Sequence, residues 1–301
     1  MGTAEVSTPS QGLTIREDPR RRIPARPLAY KAFIYLSLLL LSAFILLPAG
    51  WMLTAALKPE SAAVFTPDPQ WWPTEHWHWE NFRTVLTEQF PFLRYIVNTT
   101  VIVVANVFGV LLSCSFVGFA FARLRFRGST LLFYVLIVTM LIPWQALMVP
   151  QFLMFFKIGW YGSYLPLIVP SFGGTAFFIF LIRQYMRTIP RDLDDAARVD
   201  GLNTWQIFWR IILPLSTPVL TVCAVFTFLW NWNDLLRPLL YLANDEQFTL
   251  SIGLAGFIHR SDTPWNLLMA ANLLSVIPPI VVYFFAQKKL IGGIASVGLK
   301  G

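Results

Sequence analysis

Six long stretches of the chain contain no charged residue and are rich in aliphatic and aromatic side chains. Each is at least as long as the roughly 20 apolar residues that an α-helix needs to cross the hydrocarbon core of a bilayer. The six stretches are Ala32–Leu57, Tyr95–Ala122, Gly128–Phe156, Ile158–Ile182, Ile211–Asn233 and Thr263–Gln287. The pattern therefore predicts an all-α polytopic membrane protein with six transmembrane helices.

Prolines interrupt the third and fourth of these stretches. Pro143 and Pro150 fall in the third, and Pro166 and Pro170 fall in the fourth. A proline removes one backbone hydrogen bond and clashes with the preceding turn, so we expect both helices to be kinked. Kinks of this kind serve plain helix packing or line a water-filled path, and the sequence leaves both readings open.

The polar residues between the stretches predict how the chain crosses the membrane. Of the 301 residues only 13% are charged, about half the share in a soluble domain. With the N-terminus in the cytoplasm, most of the 23 Lys and Arg residues lie in cytoplasmic segments, as the positive-inside rule requires. An even number of spans returns the C-terminus to the same side. The net charge of +7 thus reflects topology, and it favours no nucleic-acid partner.

The same pattern divides the chain into three parts. Residues 1–31 are polar and proline-bearing, and we expect a cytoplasmic lead there rather than a cleaved signal peptide, because the first apolar stretch is too long for a signal core. Residues 32–290 form the transmembrane domain, with a polar loop over residues 189–214. Residues 291–301 are expected to be a cytoplasmic tail.

The sequence predicts no catalytic, cofactor or metal site in this chain. Cys114 and Cys223 lie inside apolar stretches, where a lone cysteine behaves as a small hydrophobe. His76, His78 and His259 lie in outer loops without the spacing of metal ligands. A G-x-x-x-x-G-K-[ST] phosphate loop is absent from the sequence, so we expect no ATPase in this chain.

The loop between the fourth and fifth stretches is too polar to enter the membrane. Pro190 suits a helix start, acidic residues follow it where the helix dipole favours negative charge, and Gly201 suits the position just past a helix end. We therefore predict a separate helix of about ten residues. Asn203 and Gln206 then predict a capping box for a second helix that runs towards Pro214. The short helix is either a solvated connector or a docking surface, on which small alanines admit a partner.

The motif Asp195-Ala196-Ala197-x-x-Asp200-Gly201, with Pro214 after it, resembles the EAA loop of binding-protein-dependent ABC importer permeases. The layout from Ala29 to Gly301 resembles the maltose-type G subunit of carbohydrate importers. The family's Glu is Asp195 here, and its Ala after the glycine is Leu202. Further similar segments are Asn98-Thr99, Arg123 to Gly128, Ile189-Pro190, Asn231 to Asp234 and Gly292 to Gly301.

The resemblance implies a coupling helix that docks on a cytoplasmic ATP-binding subunit. It also implies that this chain lies in the bacterial inner membrane with a second homologous permease, two cytoplasmic ATP-binding subunits that hold the ATP and Mg, and an external solute-binding protein. The residues it assigns to ATPase coupling are Asp192, Asp194, Asp195, Ala196, Ala197, Asp200, Gly201 and Pro214.

Polar and indole side chains inside the apolar stretches, or directly after one, are candidates for a substrate path, because polar groups in a membrane are costly. Hydrogen bonding between helices explains each of them equally well, and Asp234 and Arg237 are spaced to pair with each other. The candidates are Asn98, Asn106, Trp144, Gln145, Trp230, Asn231, Trp232, Asn233, Asp234 and Asn272.

The outer loop from Tyr241 to Thr263 resembles the loop with which the family contacts its binding protein. Its candidate contact residues are Asp245, Glu246, His259 and Arg260.

Two other functions stay open from the sequence. One is an ABC permease for a different solute, such as glycerol phosphate or a polyamine. The other is an ion-coupled secondary transporter or channel, which predicts ionisable residues deep within the spans. The six stretches contain no Lys, Arg, Asp or Glu, which disfavours the second function.

Overall fold

The computed structural model describes residues 28–59, 64, 71–72, 76–87, 91–258 and 264–298, with side chains as far as Lys289. All regular structure in these residues is helical, which confirms the all-α part of the predicted fold class. The α-helices are α1 (Leu28–Ala56), α2 (Glu80–Thr87), α3 (Phe92–Arg123), α4 (Ser129–Thr139), α5 (Trp144–Lys157), α6 (Leu165–Ile168), α7 (Ala176–Thr188), α8 (Asp192–Val199), α9 (Thr204–Ile207), α10 (Leu213–Leu215), α11 (Thr217–Trp232), α12 (Leu236–Tyr241), α13 (Leu250–Ile258) and α14 (Trp265–Gly298).

Four of the six predicted spans are long, apolar helical segments. They are Leu28–Ala56, Phe92–Arg123, Leu165–Thr188 and Trp265–Lys289. The third and fifth predicted spans are each broken into two helices. The described residues therefore contain four spans by length and composition, or up to six if each broken pair is one span.

The third predicted span bends by 96° between α4 and α5. Pro143 is the residue that precedes α5, and it has no N–H to donate to α4. Pro150, by contrast, lies inside α5 without ending it. A kink was expected at this span, and the structure shows a full break instead.

The fifth predicted span bends by 74° between the Thr204–Leu215 segment and α11. The helix expected from Asn203 onwards widens into a π turn at Phe208–Ile212, where the Leu213 N–H donates to the Phe208 carbonyl. Because Pro214 has no N–H, it donates no backbone hydrogen bond to the preceding turn. The Ile212 carbonyl accepts both the Ser216 N–H at 2.9 Å and the buried Ser216 hydroxyl at 2.7 Å.

The chain divides into two compact units, residues 1–48 and 49–301. In the first unit the structure describes Leu28–Pro48, which is part of α1. Its large apolar side chains are mostly exposed, as expected for a helix whose solvent is lipid.

In the second unit α3 is the central helix, with α7 and α11 packed along it. Glycine allows the close approach of α7, because a Cβ on Gly118 would lie 2.8 Å from Cγ2 of Ile182. One buried cluster joins α3 to α7, α8 and the Phe208–Ile212 turn. A second joins α3 to α2, α11, α13 and α14.

The predicted ends of the transmembrane domain differ from the helix ends. Helix α1 begins at Leu28, inside the expected polar lead, and residues 1–27 lie outside the described residues. Helix α14 continues to Gly298, through most of the expected tail. The glycines of the tail cost a helix only about 1 kcal/mol each, which is too little to end it.

Candidate functional site

The predicted polar helix is present as α8, which is slightly shorter than expected. Its first turn carries Asp192, Asp194 and Asp195. Gly201 adopts a φ of +83°, a conformation that favours glycine. Its N–H donates to the Arg198 carbonyl at 3.0 Å, and the Leu202 N–H donates to the Ala197 carbonyl at 2.9 Å. These two bonds form a Schellman motif that ends the helix where the sequence predicted.

The second helix of the segment begins with the predicted capping box. The Gln206 N–H donates to the Asn203 side chain at 2.9 Å. In return, the Asn203 N–H donates to the Gln206 side chain at 2.9 Å. Only Gly201 and Leu202 therefore separate the C-cap residue Asp200 from the N-cap residue Asn203, which fixes the angle at which α8 leaves the rest of the segment.

Helix α8 has an inward and an outward face. Asp194 and Ala197 are buried, and Ala197 belongs to the cluster around α3 and α7. On the outward face Val199 is 89% exposed and Leu193 is 43% exposed. The sequence offered both alanines to a partner, but in the structure only Ala196 is exposed.

The inward face is held by an ion pair with the end of α3. Nε of Arg123 lies 3.3 Å from Oδ2 of Asp194, with only 3% and 7% of the two side chains exposed. Nη2 of Arg123 also donates to the Ile189 carbonyl at 2.9 Å. Asp194 therefore contacts its own chain instead of offering its charge to a partner.

Aromatic packing fastens the second part of the segment to α3 as well. The Phe116 ring stacks on Trp205 with centroids 5.4 Å apart and planes 10° apart. Phe208 contacts both Phe116 at 4.9 Å and Phe119 at 5.0 Å. The whole polar segment is thus attached to the central helix, on which α7 and α11 also pack.

The remaining predicted coupling residues lie at the surface or at the bend. Asp195 forms an exposed ion pair with Arg198 at 2.9 Å. Asp192, Asp200 and Gly201 are exposed, and Pro214 lies in α10 just before the bend. The outward face of α8 therefore combines exposed apolar side chains with carboxylates.

A cavity of about 720 Å³ lies where the start of α5, the turn after α6 and the C-terminal half of α11 meet. Five predicted substrate-path residues line it, namely Asn106, Trp144, Gln145, Trp230 and Asn231. Lining residues that the sequence reasoning missed include Ser171, Thr175, Phe178, Thr227 and Arg237. The hydroxyl residues lie inside apolar stretches of the sequence. They did not stand out as candidates, because serine and threonine hydroxyls in helices commonly form hydrogen bonds only to their own helix.

Arg237 is the charged residue among those that line the cavity. Its Nε pairs with Oδ2 of Asp234, and its Nη2 donates to the Asn231 side chain at 3.2 Å. The Asn231 amide in turn donates to the Thr227 carbonyl at 2.7 Å. The cavity wall therefore presents an ordered amide and a guanidinium whose charge is balanced.

The aromatic part of the wall is provided by Trp230 and its neighbours. Trp230 is half exposed, and its ring centroid lies 5.2 Å from that of Phe178. The buried Thr227 hydroxyl has no hydrogen-bond partner among the described residues. The wall thus offers an apolar ring face beside polar groups, the combination typical of ligand pockets.

The other predicted path residues do not line this cavity. The Asn98 amide donates to the backbone carbonyls of Glu246 and Phe248. Trp232 is buried, and its indole N–H donates to the Ser275 carbonyl at 3.0 Å. Asn233 and Asn272 each donate to a carbonyl of the preceding helical turn.

Of the predicted binding-protein contacts, Asp245 and Glu246 are exposed in the short turn Asp245–Gln247. His259 and Arg260 lie outside the described residues. In the part of the chain that the structure describes, no group of three or more His, Cys, Asp or Glu side chains is placed to hold a metal ion.

Two named relatives are transport permeases. The arabinooligosaccharides transport system permease protein AraQ of Halalkalibacterium halodurans is 32% identical over 222 residues, which are 74% of this chain and 79% of the relative. The maltose/maltodextrin transport system permease protein MalG of Yersinia pestis is 28% identical over 274 residues, 86% of this chain and 90% of the relative.

A solved structure has the same fold. It is the crystal structure of a bacterial ABC transporter involved in the import of the acidic polysaccharide alginate, with a TM-score of 0.75 and 24% identity. The match covers 89% of this chain and 99% of that one.

The family model described as "binding-protein-dependent transport system inner membrane component" matches residues 107–295, which include the cavity residues from Val110 onward and the whole polar segment. This match and the relatives confirm the resemblance drawn from the sequence. The chain belongs to the family of inner-membrane components of binding-protein-dependent transport systems, and it is a permease subunit of such an importer.

Proposed function

We propose that this permease forms half of a translocation path for a neutral sugar or oligosaccharide and is driven through α8 by a cytoplasmic ATP-binding subunit. The working complex contains a second homologous permease, two ATP-binding subunits with their ATP and Mg, and an external solute-binding protein. Both termini of this chain face the cytoplasm of a bacterium, because segments rich in Lys and Arg favour the cytoplasmic side of a membrane.

The proposal of a sugar substrate rests on the residues that line the 720 Å³ cavity. Its amides at Asn106, Gln145 and Asn231 offer both donors and acceptors, as sugar hydroxyls require. Its indoles at Trp144 and Trp230 offer flat apolar faces for a sugar ring. The relatives named for arabinooligosaccharides and for maltose support the same substrate class.

Charge separates this proposal from the other solutes considered. Glycerol phosphate is an anion and a polyamine is a cation, so each needs an opposite charge in its path to offset the loss of water. The Arg237 guanidinium is already paired with Asp234. A neutral solute therefore fits the cavity better than either ion.

The coupling proposal rests on how α8 is attached. Its inward face is fixed to α3 by the Arg123–Asp194 pair, while its outward face, with Ala196 and Val199, is free to meet another protein. Movement of a docked α8 would carry α3 and the helices packed on it as one body. The partner subunit binds and hydrolyses the ATP.

The direct test is to purify the complex with its binding protein and identify the retained ligand by mass spectrometry. We expect a neutral saccharide, and uptake of that saccharide into proteoliposomes only when ATP is present. Recovery of a polyamine or a glycerol phosphate would contradict the substrate proposal, and uptake without ATP would support a secondary transporter.

A matched pair of variants tests the cavity itself. Asn231→Ala removes the amide that lines the cavity and orients Arg237, whereas Asn233→Ala removes an exposed amide bound only to its own helix. We expect uptake to fall about tenfold or more in the first, because a lost hydrogen bond to a charged group weakens binding by that order. Uptake should stay near normal in the second. Equal uptake by both variants would show that the cavity is not part of the translocation path.

A further inference from the structure

A second, smaller cavity of about 270 Å³ lies between α3, α4 and α7. It is found at the end of these helices that carries the polar segment, away from the larger cavity. Two arginines, two hydroxyl residues and aromatic rings line it, among them Arg183, Arg187, Ser129, Thr130, Phe133 and Tyr134. None of these residues has a part in the transport mechanism proposed above.

None of the described residues balances the charge of this cavity. The Arg183 guanidinium carbon lies 3.8 Å above the centroid of the Phe133 ring, and its Nε donates to the Phe121 carbonyl at a long 3.4 Å. The ion pairs found among the described residues involve other side chains. Two guanidiniums therefore share a small cavity in which no lining residue is acidic.

The surroundings indicate which anion would reach the cavity. Residues of α4 that follow the cavity along the helix, Leu131, Leu132, Val135 and Val138, are all more than half exposed. Exposed aliphatic residues on a helix of this kind face acyl chains, and tyrosine beside them is typical of the boundary with lipid headgroups. These surroundings are typical of the depth at which phospholipid phosphates are found.

We propose that this cavity binds a phosphate group. The guanidinium groups of Arg183 and Arg187 supply charged hydrogen-bond donors that match phosphate oxygens. The hydroxyls of Ser129 and Thr130 supply neutral donors. Two sources share this chemistry. One is the phosphodiester of a phospholipid that lies along α4, and the other is free inorganic phosphate from the solution.

The test uses the full-length chain in its purified complex. Native mass spectrometry counts the phosphatidylglycerol molecules that the complex retains after titration. It is applied to the natural chain and to Arg187→Gln. Because the Arg187 side chain is exposed, we expect this variant to fold normally. Arg125→Gln is the control, because Arg125 is exposed in the connection between α3 and α4 but does not line the cavity. Equilibrium dialysis with labelled inorganic phosphate measures the second source.

We expect Arg187→Gln to weaken retention of phosphatidylglycerol about tenfold, the loss of one charged hydrogen bond, while Arg125→Gln changes it little. The same dependence for dialysed phosphate, without lipid retention, would support the site with free phosphate as its ligand. Equal losses in both variants would overturn the proposal, because they indicate general attraction to a basic surface. Binding of neither probe would overturn it as well.

Discussion

Arg123 and Asp194 are among the few charged side chains buried in the described part of this chain. Taking two charges out of water is expensive, and the pair recovers that cost only if its hydrogen bonds are complete. Here Oδ1 of Asp194 has no hydrogen-bond partner among the described residues. The pair is therefore better explained as a device that fixes the position of α8 than as a source of stability.

This explanation predicts a specific pattern in a double-mutant cycle. Arg123→Leu or Asp194→Leu alone should destabilise the chain by about 3–5 kcal/mol, because each leaves one buried charge without its partner. The double replacement should cost less than either single one. The measurement is the fraction of the purified complex that stays monodisperse after heating.

The exposed pair Asp195–Arg198 provides the control for that cycle. Replacing Arg198 with Leu should change the same stability by less than about 1 kcal/mol, since exposed ion pairs contribute little. Additive losses in the Arg123–Asp194 cycle would show that the two side chains do not act as a pair.

Individual path residues were only partly predictable from the sequence. An asparagine in an apolar stretch shows that a polar group is buried, but not which way it faces. Asn231 faces the cavity and Asn98 binds a loop because of where the surrounding helices break and turn. Arg237 lies just past an apolar stretch, so only the fold could bring it to the cavity.

At the scale of elements, glycine on α3 controls how closely α7 approaches. A Cβ on Gly118 would lie 2.8 Å from Cγ2 of Ile182 and 3.4 Å from the backbone nitrogen of Arg183. Gly118→Ala should therefore force the two helices apart and destabilise the chain by about 1–3 kcal/mol.

Gly50 provides the matched control for this change. It also lies in an apolar helix, but a Cβ there would have nothing within 4 Å. Gly50→Ala should leave thermal stability unchanged or slightly raised, in line with helix propensity. If the Gly118 variant were as stable as the Gly50 variant, close packing of α3 on α7 would be excluded.

The sequence predicted the ends of α8 well because caps depend on local chemistry. Gly201 and the Asn203–Gln206 box act within a few residues of chain. The bends of 96° and 74° were not predictable in the same way. A proline shows where the hydrogen-bond ladder stops, whereas the angle depends on packing against helices distant in sequence.

At the scale of the whole molecule, the two alanines of the motif should have different roles. Ala196→Trp adds a large side chain to the exposed face of α8, so the chain should fold normally and lose ATP-driven uptake. Ala197→Trp adds the same side chain to a buried position that is 4% exposed, and it should lower the yield of folded protein. Yield and uptake are measured together for both variants. Normal uptake by Ala196→Trp would contradict docking on this face.

The overall class of the molecule was the most predictable feature. Long uncharged stretches require membrane helices, and the spacing of the polar motif identified the family that the comparisons then confirmed. The connections between helices were less predictable, since their geometry depends on contacts across the whole chain.

Docking of α8 on an ATP-binding subunit is tested most directly by cross-linking from Val199, whose side chain is almost fully exposed. Val199→Cys introduces a thiol on the outward face, while Cys114 and Cys223 are buried. In the assembled complex we expect a short bifunctional thiol reagent to join this cysteine to the ATP-binding subunit, with a yield that changes on addition of ATP. A Val199→Cys thiol that instead reacts freely with a membrane-impermeant reagent added outside intact cells, and forms no cross-link, would contradict the coupling role.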